Sequence, residues 1–266
     1  METITSTANP RLRALHRLRR RRDRDAAGVT LVEGVEEIAL AVDAGGRMQE
    51  AYWCPDLDDG RAEPVLARLV QTGVRPVQLS RAAFEKVAYR EGPDGLLAVF
   101  TAPGVGLAGL DPAGPEFLLI GEHIEKPGNL GAMLRTADAA GIQAVIAADA
   151  VTDWGNPNVV RGSKGAVFSV PVAAASTEET LSWLRRRGVQ LVAATPDTDV
   201  LHTDADYTGP VAIAVGAEKE GLSEQFLDAA DVRVRIPMTG RVDSLNVATS
   251  AAILVYEAVR QRGSFF

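Results

Sequence analysis

Sulfur chemistry is almost absent from this chain. Of its 266 residues one is cysteine, Cys54, so no internal disulfide can form and the usual cysteine-rich zinc clusters are excluded. A lone thiol fits a reducing compartment, and a cytoplasmic location is the expectation. Histidine is scarce too: His16, His123 and His202 stand too far apart for metal-ligand spacing, and no metal is expected. No apolar run approaches the roughly 20 residues that span a bilayer, and METITSTANPRLRALHRLRR lacks the apolar segment of a secretory signal. The G-x-S-x-G elbow and the G-x-x-x-x-G-K-[ST] loop are missing, which removes the simplest hydrolase and NTPase readings.

What is present is the composition of a soluble globular protein, 46% hydrophobic and 24% charged, in a length that allows one large domain or two modest ones. The charge is unevenly placed. Residues 1 to 25 carry eight arginines against Glu2, Asp23 and Asp25, a net +5 that leaves −12 for the rest of a chain whose total is −7. Local fields matter more than the total. Within NPRLRALHRLRRRRDRD, Leu12, Leu15 and Leu18 recur at three-residue spacing and predict a helix over residues 9–25. Such a helix suits an RNA-contacting arm and equally suits a solvated helix docked on the body, and the two are compatible.

Beyond this arm, helical and extended patterns alternate up to the strand LLAVF, which predicts a small α/β domain over about residues 1–105. The Gly- and Pro-rich stretch TAPGVGLAGLDPAGPE reads as a linker. Gly104, Gly106 and Gly109 within it have dinucleotide-fingerprint spacing, but Pro112 and Pro115 are expected to block the helix that such a fingerprint must open. A nicotinamide oxidoreductase is thereby set aside.

From residue 110 to 266 alternation resumes more densely: strands FLLI, AVIAA, QLVAAT, VAIAV and VRVRI, separated by helices, with Ser176 and Glu179 forming a capping box. This density predicts a parallel sheet covered on both faces, whose binding edge lies at the carboxyl ends of the strands. Three loops are expected there: IEKPGNLGAMLRTADAAG, GAEKEGLS and IPMTGRVDSLN. One would be routine connection chemistry; three make a pocket. In the first, Gly128 and Gly131 permit close approach, Asn129 can cap or donate, and Arg135 has small neighbours one turn away. The same spacing also allows Arg135 to pair with Asp138. Glu218 and Glu220 in the second loop could be surface acids or acid/base groups, and Ser244 and Asn246 in the third are ordinary caps for the last helix. Along that helix Leu245, Ala248, Ala252, Val255 and Val259 form an apolar stripe for core or subunit packing.

Taken in order, NLGAMLRTADAAG, GAEKEGLS and IPMTGRVDSLNVATSAAILVYEAVRQR resemble the three motifs of the SpoU/TrmH family of RNA ribose 2'-O-methyltransferases in the SPOUT superfamily. NPRLRALHRL and LVEGVEEIALAVDAG resemble the substrate-binding domain joined to ribosomal RNA members, so residues 8 to 262 are covered. The resemblance implies S-adenosylmethionine as cofactor, a trefoil knot in the C-terminal domain, and a homodimer with each active site near the subunit interface. It implies that Arg135 is the principal catalytic residue, with Asn129, Glu218, Ser244 and Asn246 completing the polar site. It matches Gly216, Ile236 and Leu245 to positions whose backbone holds the cofactor, with Thr195 and Met238 lining the same pocket. RGSKGAVF, with Arg161, Ser163 and Lys164, resembles a loop near the RNA, and Arg11 and Arg13 of the arm are expected to contact RNA as well. Gly128 departs from many members, which bears on subgroup alone. Ribosomal RNA is the expected substrate, with transfer RNA, or a non-catalytic RNA-binding role on the same fold, as the alternatives.

Overall fold

The computed structural model describes residues 2–71, 73–110, 116–242 and 244–263. They form two compact units, one built from the chain up to Pro103 together with Asp153–Ser169, the other from Gly104–Thr152 and the chain from Val170 onward. Pro112 and Pro115 lie outside the described residues; just before them, Leu107–Gly109 makes a single 3-10 turn ending in extended backbone, so GVGLAG opens no α-helix among the described residues.

The first unit runs β1 (Thr3–Ile4), α1 (Pro10–Arg17), α2 (Arg21–Ala27), β2 (Val29–Glu33), α3 (Val35–Asp43), β3 (Met48–Trp53), α4 (Glu63–Gln71), β4 (Val77–Leu79), α5 (Arg81–Val87) and β5 (Leu96–Thr101). Its sheet has the order β1-β4-β3-β5-β2, with β5 antiparallel to both neighbours and the other pairs parallel. Asn9 caps α1 by accepting from the Arg11 N–H at 2.8 Å, and Pro10 supplies a first-turn φ that needs no donor. Leu12 and Leu15, 1% and 3% exposed, dock on a core containing Tyr52, Leu79 and Phe84.

The single helix expected over residues 9–25 is instead two. Arg20 is extended at φ −90° and ψ 131°, and Arg24 explains why the break is tolerated. Its buried guanidinium donates to the Leu18 and Arg19 carbonyls at 3.2 and 3.1 Å, satisfying the end of α1, and meets Asp153 Oδ2 at 2.7 Å. One arginine in a run of eight does not advertise such a role.

The second unit contains β6 (Phe117–Glu122), α6 (Pro127–Ala140) and β7 (Ala144–Ala148). The chain then contributes α7 (Pro157–Gly162) to the first unit, where the Thr30 hydroxyl donates to the Gly155 carbonyl at 2.6 Å. It continues through β8 (Val172–Ala175), α8 (Thr177–Arg187), β9 (Gln190–Ala194), β10 (Val211–Val215), α9 (Glu224–Ala229), β11 (Val232–Val234) and α10 (Val247–Gln261) of the second unit. The six-stranded sheet is parallel throughout, in the order β11-β9-β10-β6-β7-β8. Leu118, Ile120, Leu191 and Ala212 pack in one core cluster with Leu181, Leu184 and Phe226 of α8 and α9. The alternate residues Leu119, Val145, Val192 and Ile213 are equally buried on the opposite face, where α10 packs on β10 and α6. Burial of both faces is why these strands read as unbroken apolar runs.

Some of the expected caps are in place, whereas Asn129 lies inside α6, whose N-cap is Lys126, and Asn246 rather than Ser244 is the N-cap of α10. Ser176 and Glu179 form a reciprocal capping box, and Ser223 and Asn246 cap α9 and α10. The stripe on α10 differs slightly: Val247, Ala251, Leu254 and Ala258 are buried beside Ala248, Val255 and Val259, whereas Leu245 precedes the helix and is 36% exposed. Strands β1 and β8 were not legible, being two and four residues long with no alternation to mark them.

Candidate active site

Parallel strands in the order β9-β10-β6 put the segments that follow them on one edge of the sheet. After β10 the chain makes a tight return. Gly221 adopts φ +70° and donates its N–H to the Ala217 carbonyl at 2.8 Å, folding the return onto Gly216. A Cβ on Gly216 would sit 2.1 Å from Gly221 carbon and oxygen and 2.2 Å from the Leu222 nitrogen, so only glycine fits. The tip of this return holds Glu218.

Three separated segments meet at that tip. Glu218 Oε1 accepts from Asn129 Nδ2 at 2.6 Å and from Asn246 Nδ2 at 3.3 Å. Asn246 Nδ2 also donates to Asn129 Oδ1 at 3.1 Å, while its own Oδ1 caps α10 by accepting from the Ala248 N–H at 3.0 Å. Lys126, just before α6, donates to Glu218 Oε2. Hydrogen bonds from Lys126 and then Asn129 hold the Glu218 carboxyl below its ordinary range. Glu218 is therefore an anion at neutral pH, an acceptor that orients two amides. Glu220 is exposed and belongs to none of these bonds.

Arg135 lies on the exposed face of α6. Six residues of helix carry it about one and two-thirds turns beyond Asn129, so it does not enter the hydrogen-bonded cluster. Ser244 is exposed two residues before Asn246. Thr195 follows β9, donates its N–H to the Val234 carbonyl at 2.9 Å, and lies one strand from Gly216; Ile236 and Met238 are half-buried after β11. The sequence reading missed Lys126, because a lysine before a Pro-Gly-Asn turn carries no spacing signal of its own.

In the first unit, Arg13, Arg161 and Lys164 are exposed. Arg11 is spent internally: its Nε donates to Tyr52 Oη at 2.8 Å, its Nη1 meets Glu2 at 3.1 Å, and its guanidinium lies 5.3 Å from the Tyr52 ring centre. Ser163 is 1% exposed, its hydroxyl donating to the Val160 carbonyl at 2.9 Å. No group of His, Cys, Asp and Glu side chains suited to a metal ion occurs among the described residues, and no helix there is long and apolar enough to cross a membrane.

A nucleoside cofactor needs backbone partners for its ring edges, and the second unit offers them. Among the described residues, the backbone groups of Ile236, Met238 and Leu245 form no hydrogen bond, although Ile236 and Met238 are half-buried. Together with the glycine-only approach at Gly216 this fits an adenosine-bearing group. An all-parallel sheet carrying such groups and an amide-carboxylate cluster at one edge defines a cofactor-dependent α/β enzyme.

The sequence matches the SpoU rRNA methylase family over residues 116–256 and the MRM3-like substrate binding domain over residues 9–98. It is 30% identical over 256 residues to the 23S rRNA (guanosine(2553)-2'-O)-methyltransferase RlmP of Bacillus subtilis (strain 168), covering 96% of this chain and 98% of that protein. Among solved structures, an RNA 2'-O ribose methyltransferase is 43% identical with a TM-score of 0.86, over 98% of this chain and 99% of that one. The AdoMet-bound rRNA methyltransferase from Sinorhizobium meliloti is 30% identical with a TM-score of 0.88, over 97% of both chains. The chain belongs to the SpoU rRNA methylase family.

Proposed function

We propose that this methyltransferase transfers the methyl group of S-adenosylmethionine to a ribose 2'-hydroxyl of ribosomal RNA. The observation that carries the reading is the meeting of Asn129, Glu218 and Asn246, from three separate motifs, in one cluster. The bound cofactor supplies a methyl group on a sulfonium. Backbone at Gly216, Ile236 and Leu245 holds its adenosine, with Thr195 and Met238 beside it. Asn129 and Asn246, oriented by the Glu218 anion, and Ser244 position the ribose so that hydroxyl and methyl approach in line, which removes much of the entropic barrier.

The hydroxyl must lose its proton as the new bond forms. Arg135 is the residue assigned to this step, and a guanidinium keeps its own proton in proteins. Its role is to bind the neighbouring phosphate and stabilise the developing alkoxide, while a phosphate oxygen or water takes the proton.

RNA recognition is assigned to residues near 1–105 and catalysis to residues 110–266. Arg13, Arg161 and Lys164 contact phosphate, and Arg11 and Ser163 hold the surfaces that present them, as their internal bonds suggest. The enzyme acts as a cytoplasmic homodimer whose catalytic domain carries a trefoil knot. Support for the dimer comes from Tyr256 and Val242, which are 43% and 64% exposed. The knot finds support in the C-terminal helix, which packs back on α6 after the chain has reached the edge strand β11.

The test is transfer of tritium from labelled S-adenosylmethionine to purified RNAs, with ribose methylation mapped in total RNA from cells with and without the gene. Labelled ribose in a ribosomal RNA is expected. Labelling of transfer RNA alone would move the substrate, and binding without any labelled ribose would overturn the catalytic reading.

A further inference from the structure

We infer that Glu122 is a positioning residue for the methyl-transfer site, setting the course of the return that carries Glu218. This rests on the reading of Asn129, Glu218 and Asn246 as that site. Glu122 is the last residue of β6 and is 0% exposed. Its Oε2 accepts from the Ser223 backbone N–H at 2.7 Å, and its Oε1 accepts from the Ser223 and Thr177 hydroxyls at 2.7 and 2.9 Å. No cation pairs with it among the described residues.

Burying a carboxyl group costs desolvation that an apolar residue at this strand end would avoid. What a carboxylate offers here is acceptance of three hydrogen bonds by two oxygens. Glutamine has one acceptor oxygen: kept on the Ser223 amide, it leaves an NH2 facing the Ser223 and Thr177 hydroxyls, which lose their acceptor and must reverse their bonds. Both sides of the cluster depend on this group. On one side, Glu122 leads within seven residues of chain through Lys126 to Asn129. On the other, Ser223 is the exit of the return, whose body is already locked where Gly221 and Leu222 press on Gly216. With its body rigid and its exit pinned, the return has one course, and Glu218 at its tip meets Asn129 at 2.6 Å. The link is absent from the motif pattern because Glu122 precedes the first motif and touches the second only through Ser223.

The experiment compares Glu122→Gln, Ser223→Ala and Thr177→Val in the full-length protein, measuring kcat, KM for RNA and Tm. Thr177 shares the carboxylate but is not part of the return, so it reports the cost of disturbing the buried group alone. Glu122→Gln is expected to lower kcat at least tenfold with KM for RNA within twofold of wild type, and Ser223→Ala to lower kcat at least threefold. Thr177→Val is expected to lose Tm yet keep kcat within twofold. Should Glu122→Gln fail to fold, the Ser223→Ala and Thr177→Val pair decides alone. Equal kcat losses in Ser223→Ala and Thr177→Val, or wild-type kcat in either Glu122→Gln or Ser223→Ala, would overturn the inference. Glu218→Gln separates the two readings: an inactive Glu218→Gln beside a fully active Glu122→Gln leaves the site standing and removes only the role of Glu122.

Discussion

At the scale of single residues, the cluster turns on the bonds that the Glu218 carboxylate accepts. Lys126 and Asn129 depress its pKa, so its ionised form is favoured above the ordinary value of about 4.3 and is lost only as pH falls through the lower, folded value. A carbon NMR titration of the Glu218 carboxyl should therefore show an inflection below that of a free glutamate. Lys126→Met should move it upward, and an unmoved inflection would remove Lys126 from the account. Arg135 makes a second prediction. If guanidinium geometry holds the phosphate, Arg135→Lys should lower kcat by about a hundredfold, the magnitude typical of losing a transition-state donor. Cofactor affinity, measured by calorimetry, should be unchanged. Near-normal turnover would count against that role. Arg135 was singled out by its motif, whereas Lys126 emerged only when the fold brought residues 126 and 218 together.

Among elements, the return after β10 and the split N-terminal helix give the sharpest expectations. Gly216→Ala forces a Cβ against backbone that cannot swing aside, an overpacking cost of about 1–3 kcal/mol. If this return lines the cofactor pocket as proposed, S-adenosylmethionine affinity should fall tenfold or more in a calorimetric titration. Arg24→Met should cost about 1–3 kcal/mol in urea unfolding, since it removes the close partner of a largely buried Asp153 and leaves only Arg21 at 3.9 Å; the side chains of Arg24 and Asp153 are 3% and 15% exposed. A loss below 1 kcal/mol would mean that water reaches the pair. Most helices and parallel strands of the second unit were legible because caps and apolar runs are local signals. The break between α1 and α2 was not, since a partner 129 residues away in sequence stabilises it.

For the whole molecule, the expectation concerns assembly. Tyr256 on α10 is 43% exposed, and Leu245 and Val242, just before that helix, are 36% and 64% exposed. If the subunit contact covers this region, Tyr256→Asp should shift sedimentation from dimer to monomer and lower methyl transfer at the same protein concentration. A dimer that persists in this variant would place the contact elsewhere. The division into units also has a long-range component: Asp153–Ser169, sequentially inside the catalytic half, packs with the N-terminal unit. A boundary drawn from composition cannot register a segment that leaves one unit and returns.

By itself the sequence determined the kinds of elements, their order and the three loops at the strand ends, because periodicity, capping and turn chemistry act over a few residues. The resemblance of those loops to known motifs carried the reaction class. Only the tertiary structure decided that Asn129, Glu218 and Asn246 share hydrogen bonds, that Lys126 bonds the Glu218 carboxylate and lowers its pKa, and that Glu122 and Arg24 are buried anchors. Each of those depends on strand order and on contacts across tens of residues or more, and no local pattern encodes the distance between two side chains that meet only when the sheet closes.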